Sequence, residues 1–185
     1  RGLFSASFDF IPSALEIDVT YDLGWNMVGL PLEVVDSSVG SVFPDAINGT
    51  LYSFDGSYAI AESLDNGIGY WLRFGSSGSS EITGAEITSL TLSLSEGWNL
   101  ITGISFTIDL GNIIDPSNII IDGTLYGYNG SYVSSDNLSP GAGYWLRANA
   151  DGDITLSSSQ QSSKSIPTIN HISNVNTLEF SNGIH

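Results

Sequence analysis

The pentapeptide Gly69-Tyr70-Trp71-Leu72-Arg73 occurs a second time, 74 residues further along the chain, as Gly143-Tyr144-Trp145-Leu146-Arg147. A shorter motif upstream repeats in the same order, because Gly24-Trp25-Asn26 returns as Gly97-Trp98-Asn99. Repetition at a fixed period identifies the structural unit of a chain. Two copies are too few for a long solenoid. We therefore expect either a pseudo-two-fold pair of units that share one core, or two small tandem domains.

Each unit is built from short segments that are typical of β-strands. Residues 17–21 and 90–94 alternate apolar and polar side chains, as half-buried strands do. Asp55-Gly56 and Asn129-Gly130 each separate two short strand-like runs. Such dipeptides supply the positive φ angles of a two-residue type I′ turn, so they predict a β-hairpin in each unit.

The fold class follows from these segments, since no stretch keeps a helical period over three turns. We predict an all-β protein in which two pseudo-repeats of short antiparallel strands form a sandwich or barrel-like pair. An irregular region before each hairpin predicts a helical turn or a loop crossover. The predicted segments are an N-terminal strand segment (1–16), a first β-repeat (17–89), a second β-repeat (90–156), and a Ser-rich linker with a terminal strand (157–185).

The composition excludes several classes of partner. The chain has 20 acidic and 4 basic side chains, for a net charge of −16. A chain with this charge repels phosphate, so we expect neither nucleic acid nor an anionic membrane as a partner. No apolar run approaches the roughly 20 residues of a membrane-spanning helix, so we expect no membrane insertion.

A catalytic or metal site is not predicted. The chain has no cysteine, and its two histidines, His171 and His185, both lie in the terminal segment. The body of the chain therefore has neither a thiolate nor an imidazole base. The run from Asn149 to Asp153 resembles part of a calcium-binding loop, but its first and last ligand positions are Arg147 and Ser158, which predicts a plain turn. We expect no enzyme activity, no cofactor and no metal ion.

The aromatic side chains allow two interpretations. They can fill the core, or they can form platforms for sugar rings, whose C–H faces pack on aromatic rings. Alternation along a strand places the Tyr and Trp of each Gly-Tyr-Trp motif on opposite faces. We assign the tryptophans and the two arginines of the repeat to the structural core: Trp25, Trp71, Arg73, Trp98, Trp145 and Arg147. We assign tyrosines to ligand contact: Tyr58, Tyr70, Tyr128, Tyr132 and Tyr144.

At these motifs the chain resembles a recurrent β module of large secreted bacterial proteins. That module carries tandem copies of a pattern like Trp25-Asn26-Met27-Val28-Gly29-Leu30-Pro31, and each copy ends in a Gly-Tyr-Trp strand. The second copy departs from the pattern, with Gly103-Ile104 where the first has Gly29-Leu30-Pro31. The resemblance implies a place before a type IX C-terminal sorting domain, and it implies no ligand.

These observations predict a non-catalytic extracellular or cell-surface module with a structural or adhesive role. One form of that role is a polymer or filament subunit, in which a terminal strand pairs with the sheet edge of another copy or of a neighbouring domain. The alternative is a carbohydrate-binding module of a secreted multidomain protein, with a glycan as the partner.

Overall fold

The computed structural model describes residues 14–158 of the chain. Most of the N-terminal strand segment predicted at 1–16, and most of the linker with a terminal strand predicted at 157–185, lie outside these residues. Within the described part no helix is long and apolar enough to cross a membrane. The structure is all-β, as predicted from the sequence.

The strands follow one another in the same order in both repeats, apart from small differences in the shortest ones. In the first repeat they are β1 (Leu15–Tyr21), β2 (Gly24–Gly29), β3 (Leu32–Glu33), β4 (Tyr52–Phe54), β5 (Tyr58–Ile60), β6 (Gly69–Phe74) and β7 (Gly78–Glu86). In the second they are β8 (Ser89–Leu94), β9 (Gly97–Thr102), β10 (Ile108–Asp109), β11 (Tyr126–Tyr128), β12 (Tyr132–Ser134), β13 (Asn137–Leu138), β14 (Gly143–Ala148) and β15 (Gly152–Ser157). The irregular regions contain the helical turn α1 (Val39–Val42) and a 3-10 turn (Leu110–Asn112).

Each repeat is a small sandwich of antiparallel sheets. In the first, the sheet β2-β6-β4-β5 faces the sheet β1-β7-β3, and in the second, β12-β11-β14-β9 faces β15-β8. The inner faces of the two sheets enclose a separate apolar core in each repeat. Val19 and Ile82 meet Leu72 in the first core, and Leu92 meets Leu146 in the second. The repeats therefore have a core each, and a third cluster joins them.

The Gly-Trp-Asn motif forms the tight turn that enters β2 and β9. Gly24 and Gly97 have φ angles of 96° and 106°, in the left-handed region that favours glycine. Asn26 Oδ1 accepts the Asp22 N–H at 2.9 Å, and its Nδ2 donates to the Asp22 carbonyl at 2.8 Å. Asn99 makes the same pair of bonds, both at 2.9 Å, with the main chain of Ser95. The asparagine thus closes the turn before each tryptophan.

Reciprocal main-chain contacts hold the two repeats together. Val28 forms a β-bridge with Ala142, and the equivalent residue Ile101 forms one with Ile68. The added Cβ of an alanine at Gly69 would lie 2.5 Å from the Ile101 carbonyl oxygen. This distance is below any real Cβ contact, so the first glycine of the pentapeptide permits the close approach of the repeats. Because both bridges use equivalent positions, the repeats are related by an approximate two-fold axis.

The hairpin turns differ from the prediction. Phe54 pairs with Tyr58, and Tyr128 with Tyr132, so each loop has three residues instead of two. Gly56 and Gly130 have φ angles of 69° and 92°. In residues 14–158 the one non-glycine residue with positive φ is Asn118. The prediction of a two-residue type I′ turn is therefore wrong. The observed three-residue loop needs the left-handed conformation at the glycine alone.

Candidate ligand-binding clefts

The orientation of the Gly-Tyr-Trp strand places its tyrosine in the core. Tyr70 is 2% exposed and Tyr144 is 6% exposed. The Tyr70 hydroxyl accepts the Asp65 N–H at 3.0 Å, and the Tyr144 hydroxyl accepts the Ser139 N–H at 3.0 Å. Burial is the main cause that raises the pKa of the Tyr70 phenol. The prediction that Tyr70 and Tyr144 contact a ligand is therefore wrong, because both are packed inside their sandwiches.

The tryptophans of the same strands lie on the outer faces of the sheets, where the two repeats meet. The ring of Trp71 is edge-on to Tyr128, with centroids 4.8 Å apart. The equivalent contact joins Trp145 and Phe54, also at 4.8 Å. Met27 and Leu100 complete this joining cluster. Trp145 is 8% exposed and Trp71 is partly buried, so both of these tryptophans pack within the joining cluster.

Two clefts open beside this cluster, and residues of both repeats line each of them. The first has a volume of about 530 Å³ and is lined by Trp25, Tyr52, Tyr58, Trp71, Tyr128 and Tyr132. The second has a volume of about 520 Å³ and is lined by Phe54, Tyr58, Trp98, Thr124, Tyr126, Tyr132 and Trp145. Every aromatic residue of the first cleft has its repeat equivalent in the second. Tyr58 and Tyr132 line both clefts, so the two share a common wall.

The ring geometry of the clefts is the same in both repeats. The rings of Trp25 and Trp71 lie 6.4 Å apart at 87°, and those of Trp98 and Trp145 lie 6.4 Å apart at 84°. Trp25 also lies 5.9 Å from Tyr52. Edge-to-face contacts of this kind fix the orientation of a ring. The cleft walls are therefore held in position by the protein itself.

Four aromatic residues of the clefts expose large parts of their rings. Trp25 is 41% exposed, Trp98 44%, Tyr58 54% and Tyr132 57%. The prediction that Trp25 and Trp98 belong to the core is therefore wrong, because each stands on the outer face of its sheet, beyond the joining cluster. Tyr58 and Tyr132, predicted as ligand contacts, are exposed in the clefts, and Tyr128 is a partly buried wall residue.

The arginines of the repeat are exposed, so their assignment to the core is also wrong. The structural role at these positions belongs to the main chain. The Arg73 N–H donates to Thr50 Oγ1 at 3.2 Å, and the Arg147 N–H donates to Thr124 Oγ1 at 3.2 Å. Each threonine hydroxyl in turn donates to a main-chain carbonyl at 2.6 Å, which ties the hairpin to the Gly-Tyr-Trp strand.

The chemistry of the cleft lining is that of stacking and hydrogen bonding. Burial is the main cause that raises the pKa of the Tyr58 phenol, and the neighbouring Tyr132 adds to the rise. The phenol is therefore neutral at physiological pH, with a hydroxyl that can donate as well as accept. Tyr52, Phe54 and Tyr126 were not among the predicted site residues. Tyr52 and Phe54 lie two residues apart in β4, as Tyr126 and Tyr128 do in β11, so each pair lies on one face of its strand. This spacing was the signal in the sequence that could have identified them.

Other groups that suggested chemistry serve the fold. Residues 149–151, part of the run that resembles a calcium loop, connect β14 to β15, and Asp151 Oδ1 accepts the Glu96 N–H at 2.7 Å. Within residues 14–158 no group of three or more His, Cys, Asp or Glu side chains is placed to hold a metal ion. No protein-family model, curated protein or solved structure matches the chain.

Proposed function

We propose that the chain is a non-catalytic adhesion module that binds carbohydrate through its two aromatic clefts, within an extracellular or cell-surface protein. The observation that carries this proposal is the pair of equivalent clefts, whose exposed tryptophan and tyrosine rings have nearly the same geometry in both repeats. Single exposed apolar residues are ordinary on a protein surface, but two matching aromatic clefts are not.

Carbohydrate fits the lining better than a purely apolar ligand does. The walls combine ring faces with phenol hydroxyls from Tyr52, Tyr58, Tyr128 and Tyr132 in the first cleft. A sugar ring has apolar C–H faces and hydroxyl groups at its edge, so it can use both features at once. The volume of about 530 Å³ lies within the usual range for small-ligand sites. Rings already fixed by edge-to-face contacts lose little conformational entropy when a ligand binds.

The lining supports binding in preference to catalysis. It consists of aromatic side chains and, in the second cleft, Thr124. Glycoside hydrolysis canonically uses two carboxyl groups on either side of the bond that breaks. The acidic side chains of the described residues lie mostly at turns, where several cap main-chain N–H groups, as Asp115 does for Ile119 and Ile120.

The proposal is tested with a glycan array and with intrinsic tryptophan fluorescence. The double variant Trp25→Ala/Trp98→Ala removes an exposed ring from each cleft. We expect this variant not to bind the glycans that the wild type binds on the array. Leu23→Ala is the matched control, because Leu23 is 70% exposed and lines neither cleft. A blank array for the wild type, or equal binding by the double variant, would contradict the proposal. If the wild type binds a proline-rich peptide and no glycan, the clefts belong to a different class of ligand-binding site.

Assembly by strand addition is the second candidate, and one observation favours it. The strands β5 and β12 lie at the edges of their sheets, and all of their residues are exposed. An uncovered edge offers main-chain groups to a strand from another chain. Sizing and electron microscopy of the native protein test this candidate. Filaments or higher oligomers would support it, and a monomer at all concentrations would exclude it.

A further inference from the structure

The two arginines of the repeat occupy an unusual electrostatic position. Arg73 and Arg147 are the only basic side chains in residues 14–158, in a chain that has 20 acidic residues. Arg73 lies directly opposite Trp25 in the β2-β6 pair, and Arg147 lies directly opposite Trp98 in the β9-β14 pair. Each of these two arginines therefore lies beside the exposed tryptophan of one cleft.

The arginine and the tryptophan share the outer face of their sheet. Residues directly opposite each other in an antiparallel pair point to the same side, with Cβ atoms about 5 Å apart. Arg73 also follows Trp71 by two residues, which again places it on the cleft side of β6. Both arginines are exposed, so their guanidinium groups are accessible to a ligand that lies against Trp25 or Trp98.

A structural role for the guanidinium groups has no support in the contacts of the described residues. The tie between hairpin and strand uses the main-chain N–H of each arginine, which any residue except proline supplies. No ion pair joins either arginine to a carboxylate within residues 14–158, although the chain is rich in carboxylates. The exposed guanidinium groups are therefore open to pair with an acidic group of a ligand.

We propose that the clefts bind an anionic saccharide, in which a sugar ring stacks on Trp25 or Trp98 and its acidic group pairs with Arg73 or Arg147. The inference rests on the proposed carbohydrate function, and it adds the chemical class of the sugar. The planar guanidinium matches a carboxylate or a sulfate with two parallel hydrogen bonds. A uronic acid and a sulfated sugar share this chemistry, and the aromatic walls accept the ring of either.

The net charge of −16 does not prevent this binding. At physiological salt the Debye length is about 8 Å, so the distant carboxylates are largely screened from the cleft. A guanidinium in contact with the ligand is screened much less.

The test compares three oligosaccharides of equal length by calorimetry at 0.15 M salt: a neutral glucan, a uronate and a sulfated glucan. We expect the wild type to bind an anionic ligand about two- to fivefold more tightly than the neutral one, as expected for exposed charge pairs. Arg73→Gln should weaken anionic binding about two- to fivefold in the cleft of Trp25, and Arg147→Gln should do the same in the cleft of Trp98. Neither substitution should change neutral binding. The difference in affinity between the uronate and the sulfated glucan shows whether the clefts prefer a carboxylate or a sulfate.

A net-charge control separates local pairing from general repulsion. The variant Arg73→Gln/Arg147→Gln/Glu16→Gln/Glu81→Gln keeps the net charge of the wild type, because it removes two positive and two negative charges. Glu16 and Glu81 are chosen because they lie on the exposed side of the β1-β7 sheet, away from the clefts. It should bind anionic sugars as weakly as the double variant Arg73→Gln/Arg147→Gln does. Full recovery of anionic binding in this variant would overturn the arginine pairing. Equal affinity for neutral and anionic sugars would overturn the inference alone, and no binding of any sugar would also overturn the proposed function.

Discussion

The ring of Tyr128 lies edge-on to the ring of Trp71, with centroids 4.8 Å apart and planes at 76°, and this contact joins the second repeat to the first. Its equivalent is the contact of Phe54 with Trp145, at 4.8 Å and 82°. The hairpin of each repeat thus packs on the Gly-Tyr-Trp strand of the other. These contacts position the walls of both clefts.

We expect the paired contacts to contribute equally to stability. A double-mutant cycle with Trp71→Leu and Tyr128→Leu should give a coupling energy of about 0.5–1.5 kcal/mol, the usual value for an edge-to-face pair beyond its burial. The twin cycle with Trp145→Leu and Phe54→Leu should agree within about 0.5 kcal/mol. Urea unfolding of the single and double variants measures both. Coupling near zero in either cycle would show that the rings touch without stabilising the junction.

Gly69→Ala should destabilise the protein by about 1–3 kcal/mol, as overpacking does. The new Cβ would lie 2.5 Å from the main-chain oxygen of Ile101, which cannot move without opening the bridge between the repeats. Gly40→Ala is the control, because Gly40 lies within α1 and a Cβ there meets nothing within 4 Å. Thermal unfolding compares the two, and an equal effect would disprove the steric explanation.

Thr50→Val should cost about 1–3 kcal/mol, because it removes two hydrogen bonds that are typically worth about 0.5–1.5 kcal/mol each. Valine keeps the shape of threonine but can neither donate to the Ile47 carbonyl nor accept the Arg73 N–H. Thr50→Ser retains the hydroxyl and should lose much less. The same series at Thr124 should reproduce these differences. Chemical unfolding gives the free energies, and a valine variant as stable as the wild type would remove the proposed tie between hairpin and strand.

The stability of the protein should fall at alkaline pH because of Tyr21. Burial, followed by the hydrogen bond to Asp45, raises the pKa of the Tyr21 phenol above its ordinary value of 10.0. The folded state therefore keeps a proton that the unfolded state loses. This contribution to stability is fully present below about pH 10, and it is lost as the pH rises through the pKa of the folded state.

The alkaline effect is measured as the free energy of unfolding between pH 7 and pH 11. Tyr21→Phe should lower stability at pH 7 by removing the bond to Asp45, and it should also flatten the alkaline decline. Asp45→Asn keeps the phenol buried and should retain more of that decline than Tyr21→Phe does. A decline that is unchanged in Tyr21→Phe would assign the pH dependence to other groups.

Tyr58→Ala should weaken binding in both clefts, because Tyr58 lines each of them. Trp25→Ala should affect the first cleft alone and leave the second intact. With a glycan found by the array, fluorescence titration should show about half the binding stoichiometry for Trp25→Ala, but full stoichiometry with a lower affinity for Tyr58→Ala. Loss of one whole site in Tyr58→Ala would show that the clefts do not share this wall.

Much of the fold could be predicted from local chemistry. Alternating side chains located β1 and β8, and glycines marked the turns before β2 and β9, because only residues without a Cβ adopt a left-handed backbone at little cost. The hairpins were predicted correctly, but their loop length was not. A dipeptide such as Asp55-Gly56 fits both a two-residue and a three-residue loop, and the register of the flanking strands decides between them.

The candidate site depended much more on tertiary structure. Alternation showed that Tyr70 and Trp71 point to opposite faces, but it contains no information about which face a second sheet covers. The β1-β7 sheet covers the tyrosine side, so Tyr70 is buried, while the opposite repeat covers only part of the tryptophan side.

By itself the sequence determined the duplicated unit, its strands, the glycine turns and the acidic charge, because these depend on residues close together in the chain. Only the tertiary structure decided that Trp25 and Trp98 are exposed, that two clefts share Tyr58 and Tyr132, and that each arginine stands beside a cleft. The physical reason is that burial depends on which surfaces meet, and the meeting of the two repeats joins residues about 70 positions apart.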